Sequence, residues 1–515
     1  MKLIHSIEPP SRISRFDLER PKPQWKTTDS AKQGAPNLRL EITADKIAVL
    51  TFDRPNSSAN IFDRATLTEL DRQLDYVAGH PDLKGLVLMS AKKSIFIAGA
   101  DLKSIAGESD PDALAEFIEF GQSVLNRITS LPMITVAAIH GACVGGGFEM
   151  SLACHWRVAS PDRVTQIGLP ETQIGVIPAW GGSTRLPRLI GLPKALDIIL
   201  AGKTLAPKLA LRYGMIDAVV PREYLLQVAR QKIFGGPPER SRHWLTNNPL
   251  SVAAIRSRAA AGVQRKTHGR YPAVTKALDV MTKGLTRSIG ESLELEVETV
   301  LELAQKKSTQ NLLRLFFQTE RAKKLSLLPA NGSTESARTN TAPRCAVIGA
   351  GVMGSGIAQW LSSRGFPTIL RDVGPDQVAR GMSNISHLYA DTVKHHVFTP
   401  TEARAGLDRI FPAATEVPLA NRDFVIEAAV EEMALKKEIF RKLDALAGPQ
   451  TILATNTSAL SVSEIAGATA RPDRVVGIHF FNPVHRMKLV EVVRTPLSSP
   501  EAVQRAIQLV QQTGK

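Results

Sequence analysis

Apolar and polar residues alternate in two runs across LRLEITADKIAVLTFDRP, residues 38–55, the period-two pattern of a hairpin of half-buried strands. A helical stretch follows from Ala65 to Ala78, then a continuous apolar strand GLVLMSA (85–91), a second helix from Asp112 to Ile128 and a buried strand MITVAAI (133–139). Strands that alternate with helices predict an α/β fold with repeated crossovers. Residues 283–325 turn helical and charged, whereas 326–343 (SLLPANGSTESARTNTAP) are small and polar with two prolines, the composition of a linker. A fresh strand, CAVIG, opens soon after it, and no internal repeat or sustained low-complexity segment is evident. The pattern therefore predicts a first α/β module, a helical connector, a linker and a second α/β module.

A length of 515 residues exceeds one compact domain of usual size, and a hydrophobic content of 43% fills ordinary cores, so two or three domains are expected. Three cysteines (Cys143, Cys154, Cys345), none in a CxxC pair, argue against a disulfide scaffold and a structural zinc site, and no metal site is expected. A reducing compartment fits, either a bacterial cytoplasm or a mitochondrial matrix. The most apolar stretch, Leu131 to Phe148, contains Pro132, His140 and Gly145 to Gly147 and runs straight into Glu149, which makes a poor bilayer span. The start, MKLIHSIEPPSRISRFDLER, lacks a secretory apolar core, Asp17 and Glu19 weaken a transit-peptide reading, and residues 1–37 read as a disordered polar leader.

Lysine and arginine number 64 against 49 acidic residues, a formal charge of +15. Residues 344–515 carry only +3 of it, and between Arg222 and Arg270 ten basic residues face two acidic ones. Such a cluster is a solvated face or a partner for an anionic phosphate or surface. It lacks interleaved aromatics and any nucleic-acid-binding motif, so no nucleic-acid partner is expected.

Two segments place glycine between an apolar strand and a helix: FIAGADLKSI (96–105) and HGACVGGGFEMSLAC (140–154). Either the glycines serve tight helix–strand packing, or they let a substrate approach free amides at which negative charge develops, as in an oxyanion hole. Two carboxylates sharpen the second reading. Glu149 lies two residues past the triplet, and Glu171 follows Pro170 in LPETQIGVIPAWGGSTRLPRLIG; charges in such apolar surroundings are costly unless paired or used.

With these motifs in this order and spacing, residues 38–225 resemble the enoyl-CoA hydratase (crotonase) family. The resemblance implies a crotonase-type spiral ββα fold and acyl-coenzyme A substrates. It implies that the amides of Ala100 and Gly146 hold the thioester oxygen, that Glu149 activates water at C3 and that Glu171 protonates C2. The family also holds isomerases and hydrolases, and the presence of both acids favours hydration. Coenzyme A phosphates would meet Lys103 or part of the basic stretch. Trp180 and Ala179 stand where many relatives have other residues.

The second module begins RCAVIGAGVMGSGIAQWLSSRGFPTILRD (344–372): strand, glycine turn, helix, strand. Gly349 permits the turn, Gly351 admits a pyrophosphate to the helix N-terminus, Gly354 allows close packing, and Asp372 ends the second strand to take ribose hydroxyls. An acid there favours NAD over NADP, with Arg371 beside it as a countervailing charge. Downstream, DFVIEAAVEEMALKKEIF, ATNTSALSVSEIA and GIHFFNPVHRMKLVEVV complete a resemblance to the L-3-hydroxyacyl-CoA dehydrogenase family over 344–515, which implies a doubly wound Rossmann sheet. It also implies that His479 is the general base, oriented by Glu491, that Ser458 and Asn482 bind substrate, and that Glu431, Lys436 and Asn456 lie on the cofactor side. His485 has no matching role and reads as a surface residue.

The two halves in one chain resemble the multifunctional α-subunit family of fatty-acid β-oxidation, and RKTHGRYPAVTKAL (265–278) and NLLRLFFQTERAKK (311–324) look like its linking segments. The resemblance implies a thiolase β subunit as partner and admits association with a membrane surface. The expected layout is a leader (1–37), a hydratase core (38–225), a basic helical connector (226–325), a linker (326–343) and an NAD-binding domain (344–515). Relatives continue past the point where this chain ends at QQTGK, so the expectation is an active hydratase and a weak or absent dehydrogenase. The alternatives are an acyl-CoA isomerase or epimerase with a non-productive NAD half, and a non-catalytic scaffold that docks thiolase.

Overall fold

The structure, a computed structural model, describes residues 35–103, 110–241, 243–326, 342–395 and 397–515. Nearly all of the leader and most of the linker expected from the sequence lie outside the described residues. The chain divides into two compact units, one ending at Gln318 and the other beginning at Thr319.

The strands of the first unit are β1 (Leu38–Ile42), β2 (Ile47–Phe52), β3 (Gly85–Ser90), β4 (Ile95–Ile97), β5 (Ile134–Ile139), β6 (Ala142–Val144), β7 (Trp156–Ala159), β8 (Ile167–Gly168), β9 (Thr204–Leu205) and β10 (Ala218–Val219). They form a six-stranded sheet, β1-β2-β3-β5-β7-β10, and a four-stranded sheet, β4-β6-β8-β9. The expected hairpin is the one antiparallel pair of the larger sheet, β1 with β2, in register Leu38 to Phe52. Successive strands then step from the larger sheet to the smaller before each helix. β3 and β4 precede helix Pro111–Ser130, β5 and β6 precede helix Gly146–Ala153, and β7 and β8 precede the turn Glu171–Ile174 and helix Gly182–Ile190. This repeat is the spiral ββα architecture.

The strands read as continuous apolar runs because the larger sheet is covered on both faces. Leu86, Leu88, Ala137 and Ile139 face the main core, while Val87, Val136 and Ala138 face Leu225, Ala229 and Ile233 of helix Leu225–Phe234. Helices Pro249–Thr267, Pro272–Gly284 and Ile289–Ala304 belong to this unit too. Val252, Ala277, Leu278, Met281, Val297, Val300 and Leu303 are buried in the main core, so the stretch divided off at residue 226 as a connector is part of the first unit. Its apolar stripes gain by joining that core, at about 25 cal/mol per Å² removed from water.

The second unit holds β11 (Cys345–Ile348), β12 (Thr368–Arg371), β13 (Ile410–Ala413), β14 (Phe424–Glu427), β15 (Ile452–Thr455), β16 (Val475–Phe480) and β17 (Val490–Val493), in sheet order β13-β12-β11-β14-β15-β16-β17. All pairs are parallel except β16 with β17. Cys345 and Val347 face one core and Ala346 and Ile348 the other, as a doubly wound sheet requires. Among the described residues no helix is long and apolar enough to cross a membrane.

Candidate active sites

In the first unit the glycine triplet sits where β6 enters helix Gly146–Ala153. Gly145 takes φ +56°, a conformation that disfavours side chains, and Gly147 lies so close to β4 that a Cβ on it would meet the Ile97 carbonyl oxygen at 2.4 Å. Packing therefore explains part of the triplet. The amide of Gly146 is the other part: as the first residue of the helix it has no intrahelical partner.

Ala100 comes beside it from the turn after β4. Gly99, at φ +100°, gives its carbonyl to the Phe62 amide, and the Asp101 amide bonds to the Phe62 carbonyl, which leaves the Ala100 amide between them unused. A Cβ on Gly146 would lie 3.5 Å from the Ala100 nitrogen, and one on Gly99 would lie 3.5 Å from the Gly146 nitrogen. Two amides without internal partners thus adjoin at one point.

Both carboxylates are there. Glu149 is buried, and its Oε1 accepts from the amides of Trp180 (2.7 Å) and Gly182 (2.8 Å). Burial pushes its pKa up to about 7, against the pull of those amides and of Arg185. Glu171 opens the turn Glu171–Ile174, and its Oε1 would lie 3.1 Å from a Cβ on Gly145. Its Oε2 is sealed from solvent without a hydrogen-bond partner. Burial first, and then the neighbouring charge of Glu149, push it well above the usual carboxylate range. An unpartnered buried carboxyl oxygen is an uncompensated cost unless a ligand meets it.

Trp180 closes one side. Its ring packs edge-on against Phe62 and Phe117, with centroids 5.7 and 5.6 Å away, and would touch a Cβ on Gly146 at 2.7 Å. Ala179 accepts from Gln122 Nε2 at 2.8 Å. Lys103 is exposed just past the Ala100 turn. The basic stretch is less free than its sequence charge: Arg230 pairs with Asp45 (2.6 Å), Arg240 with Asp217 and Arg256 with Asp279 (2.8 Å), acids that all lie outside it.

Sequence reasoning missed Glu296, a wholly buried carboxyl on helix Ile289–Ala304 that accepts from the Gly181 amide at 2.8 Å. A signal was present: Glu296 falls in helical register with Ser292, Leu293, Val297 and Val300, on the face that is buried.

In the second unit the three glycines answer three different demands. Gly349 takes φ +103°, and a Cβ on Gly354 would meet the Gly349 carbonyl oxygen at 1.8 Å, whereas one on Gly351 would meet nothing within 4 Å. Open space therefore lies over Gly351 at the N-terminus of helix Val352–Ser363, where free amides favour an anion. Asp372 adjoins it, its Oδ2 accepting from the Ala350 amide at 2.6 Å. Arg371 is drawn to Glu416, 3.6 Å away. These residues fit a dinucleotide with free ribose hydroxyls.

His479 and Glu491 are register partners across the antiparallel pair β16 and β17, and His479 Nδ1 lies 2.8 Å from Glu491 Oε2. With Nδ1–H donated to the carboxylate, Nε2 carries the lone pair. Asn456 Oδ1 accepts from the Phe480 amide at 2.7 Å, which ties the end of β15 to the residue after His479. Glu431 Oε1 accepts from the Ser458 amide at 2.8 Å. Although burial acts to raise its pKa, the Thr457 hydroxyl, the Ser458 amide and Lys436 hold it down at about 2.

Lys436 is the most buried of the residues expected on the cofactor side. Read as a cofactor-side residue, it is wholly buried, with Nζ at 2.7 and 2.9 Å from the two oxygens of Glu427 and 3.5 Å from Glu431 Oε2. The ammonium gives two hydrogen bonds to Glu427 and pairs with Glu431 across 3.5 Å, so it ties two carboxylates together. Asn482 and His485 are exposed in the segment after β16.

Comparison with known proteins agrees with both halves. Residues 43–301 match the family described as enoyl-CoA hydratase/isomerase, and residues 344–515 match the 3-hydroxyacyl-CoA dehydrogenase NAD binding domain. The chain is 36% identical over 481 residues to the fatty acid oxidation complex subunit alpha of Shewanella baltica and to that of Shewanella putrefaciens, covering 92% of this chain and 67% of each relative. Among solved structures, 3-hydroxybutyryl-CoA dehydrogenase from Escherichia coli is 38% identical over 34% of this chain and 37% of its own, with a TM-score of 0.33. An enoyl-CoA hydratase from Bacillus anthracis is 25% identical over 55% of this chain and 96% of its own, with a TM-score of 0.37. The chain belongs to the family of the fatty acid oxidation complex subunit alpha, with an enoyl-CoA hydratase domain and an NAD-binding 3-hydroxyacyl-CoA dehydrogenase domain in one polypeptide.

Proposed function

We propose that the first unit hydrates trans-2-enoyl-CoA to L-3-hydroxyacyl-CoA through Glu149 and Glu171, with the amides of Ala100 and Gly146 on the thioester oxygen. The observation that carries this is the meeting of two unused amides and two buried carboxyls at one place. Water gives its proton to Glu149 as its oxygen bonds to C3, and the electron pair of the double bond moves onto the thioester oxygen. Glu171 then returns a proton to C2. Each amide donor contributes about 3–4 kcal/mol at the developing oxyanion.

Two carboxyls on one face dictate syn addition. Hydration of crotonyl-CoA in deuterated water, read by NMR at C2 and C3, should give the syn product; anti addition, or a shifted double bond, would overturn the assignment. The base must be ionised and the acid protonated, so the rate should rise with pH near 7, where Glu149 loses its proton, and fall above the raised pKa of Glu171. A rate flat between pH 5 and 9 would contradict these roles.

Lys103 is proposed to meet the phosphates of coenzyme A. Lys103→Glu should raise KM for crotonyl-CoA by about tenfold at low salt and less at high salt, with kcat kept; a KM indifferent to salt would remove Lys103 from the substrate site.

In the second unit His479 Nε2 takes the 3-hydroxyl proton, Glu491 balances the imidazolium, and Ser458 and Asn482 hold the substrate. NAD, when bound, supplies the hydride acceptor. The open space at Gly351, with Gly349, Gly354 and Asp372, would hold its pyrophosphate and ribose, and Glu431 and Asn456 order the loop ends beside it. Gly354→Ala forces a methyl onto the Gly349 carbonyl, a misfit of at least about 1–3 kcal/mol. NAD affinity by calorimetric titration should fall about tenfold or more.

The 3-ketoacyl-CoA that results is a substrate for thiolytic cleavage, which favours a thiolase β subunit as partner. Three buried free cysteines are in keeping with a bacterial cytoplasm.

A further inference from the structure

The geometry points to Glu296 as a positioning residue of the hydration site: it holds the Gly181 amide and Thr184 so that the amides on either side of Gly181 lock Glu149 in place. The inference rests on the assignment of Glu149 as the water-activating base.

Three successive amides lead into helix Gly182–Ile190, and two carboxyls share them. Trp180 and Gly182 donate to Glu149 Oε1, at 2.7 and 2.8 Å, while Gly181 between them donates to Glu296 Oε2 at 2.8 Å. Gly181 adopts φ +100°, which glycine reaches without a Cβ penalty but with many alternatives open to it, and the bond from its amide to Glu296 selects this one. The second oxygen of Glu296 lies 2.7 Å from the Thr184 hydroxyl, which in turn lies 2.7 Å from the Ser292 hydroxyl, one turn before Glu296 on the same helix. The N-cap residue Gly181 and the first turn of helix Gly182–Ile190 are thus pinned to helix Ile289–Ala304. Trp180, fixed in the same loop, lies against Gly146 and so against one of the two unused amides.

Charged groups face Glu296 from every side: Glu149 on helix Gly146–Ala153, Glu171 on the turn Glu171–Ile174, and Arg185 and Arg188 on helix Gly182–Ile190. None of the described cations lies within ion-pair distance of it. A second anion beside Glu149 without a paired cation is unfavourable, and burial and the charge of Glu149 push Glu296 up to about 8. In its neutral form it can accept from Gly181 through one oxygen and donate to Thr184 Oγ1 through the other, with Thr184 donating onward to Ser292. A neutral Glu296 adds no second negative charge beside Glu149.

The test uses the full chain and crotonyl-CoA, with Glu296→Gln, Glu296→Asp and Glu296→Ala. Glutamine reproduces the neutral carboxyl, so Glu296→Gln should keep kcat within about threefold and leave the acid limb of the pH profile in place. Glu296→Asp, one methylene shorter, and Glu296→Ala release Gly181, and kcat should fall about 10- to 100-fold with KM within about twofold, as for displaced catalytic geometry. Should Glu296→Ala fail to fold, Glu296→Asp answers the same question. Unchanged kcat in the folded Asp variant, or a loss in the Gln variant as large as in the Asp variant, overturns the inference. Glu149→Gln is measured alongside: if it retains hydration, the assignment of the base has failed, and that result is distinct from the behaviour of Glu296.

Discussion

Glu149→Gln and Glu171→Gln, made singly, should each lower kcat for crotonyl-CoA hydration by about 10²–10⁴-fold, the usual worth of a positioned acid or base. Hydration needs both groups in one cycle, since water must lose a proton and C2 must gain one. A one-base isomerisation survives the loss of the group it does not use, so a large loss in only one variant would favour the isomerase reading. KM should change little, because neither carboxyl is assigned a binding role.

The same Glu149 substitution should raise stability above pH 7. A carboxyl whose folded pKa is raised to about 7 from 4.5 binds its proton more tightly in the folded state. The folded chain therefore loses stability as pH rises from 4.5 through 7, and glutamine, which keeps an acceptor for the Trp180 and Gly182 amides, does not titrate. Thermal melts at pH 5 and pH 8 check the sign: the variant should gain on the parent at the higher pH. Activity lost together with stability gained is the mark of a group held for chemistry.

Lys436→Met should destabilise the second unit by about 3–5 kcal/mol, because it strands the Glu427 carboxylate in a site without solvent. Glu427 would retain the Ala429 amide and the Thr455 hydroxyl but lose its only counter-ion within salt-bridge distance among the described residues. The double variant Lys436→Met/Glu427→Gln should recover much of the loss, since no buried charge is then left unpaired. Denaturant unfolding together with NAD titration checks this. If the single variant is as stable as the parent but loses NAD affinity, Lys436 contacts the cofactor and the buried-pair account fails.

The contrast between these residues shows what could be read from the chain. The glycine turns are legible because local backbone demands, a positive φ or a close helix, leave short fingerprints in sequence, and Glu149 and Glu171 stand out beside them as charges in apolar surroundings. His479 and Glu491 were legible as members of a motif. That they face each other depends on the antiparallel register of β16 and β17, which no spacing of twelve residues dictates. That Lys436 is buried against Glu427 is not legible in the chain, because the carboxylate it meets and the Thr455 hydroxyl beside it lie on strands distant in sequence.

The free charge of the basic stretch is less than its composition for a similar reason: Asp45, Asp217 and Asp279 pair with part of it from beyond its ends. Glu296 lies 147 positions after Glu149 in a helix that composition alone divides from the hydratase core. Its helix is amphipathic and its apolar face enters that core, a tertiary fact with a weak trace in the heptad-like run LELEVETV.

One unit of this chain should add water to an enoyl thioester without any redox partner. The direct measurement is the ultraviolet absorbance of crotonyl-CoA incubated with the folded 515-residue protein in the absence of NAD. The absorbance of the conjugated thioester should fall to a plateau set by the hydration equilibrium, with 3-hydroxybutyryl-CoA as product. An absorbance unchanged from the protein-free control would contradict the account.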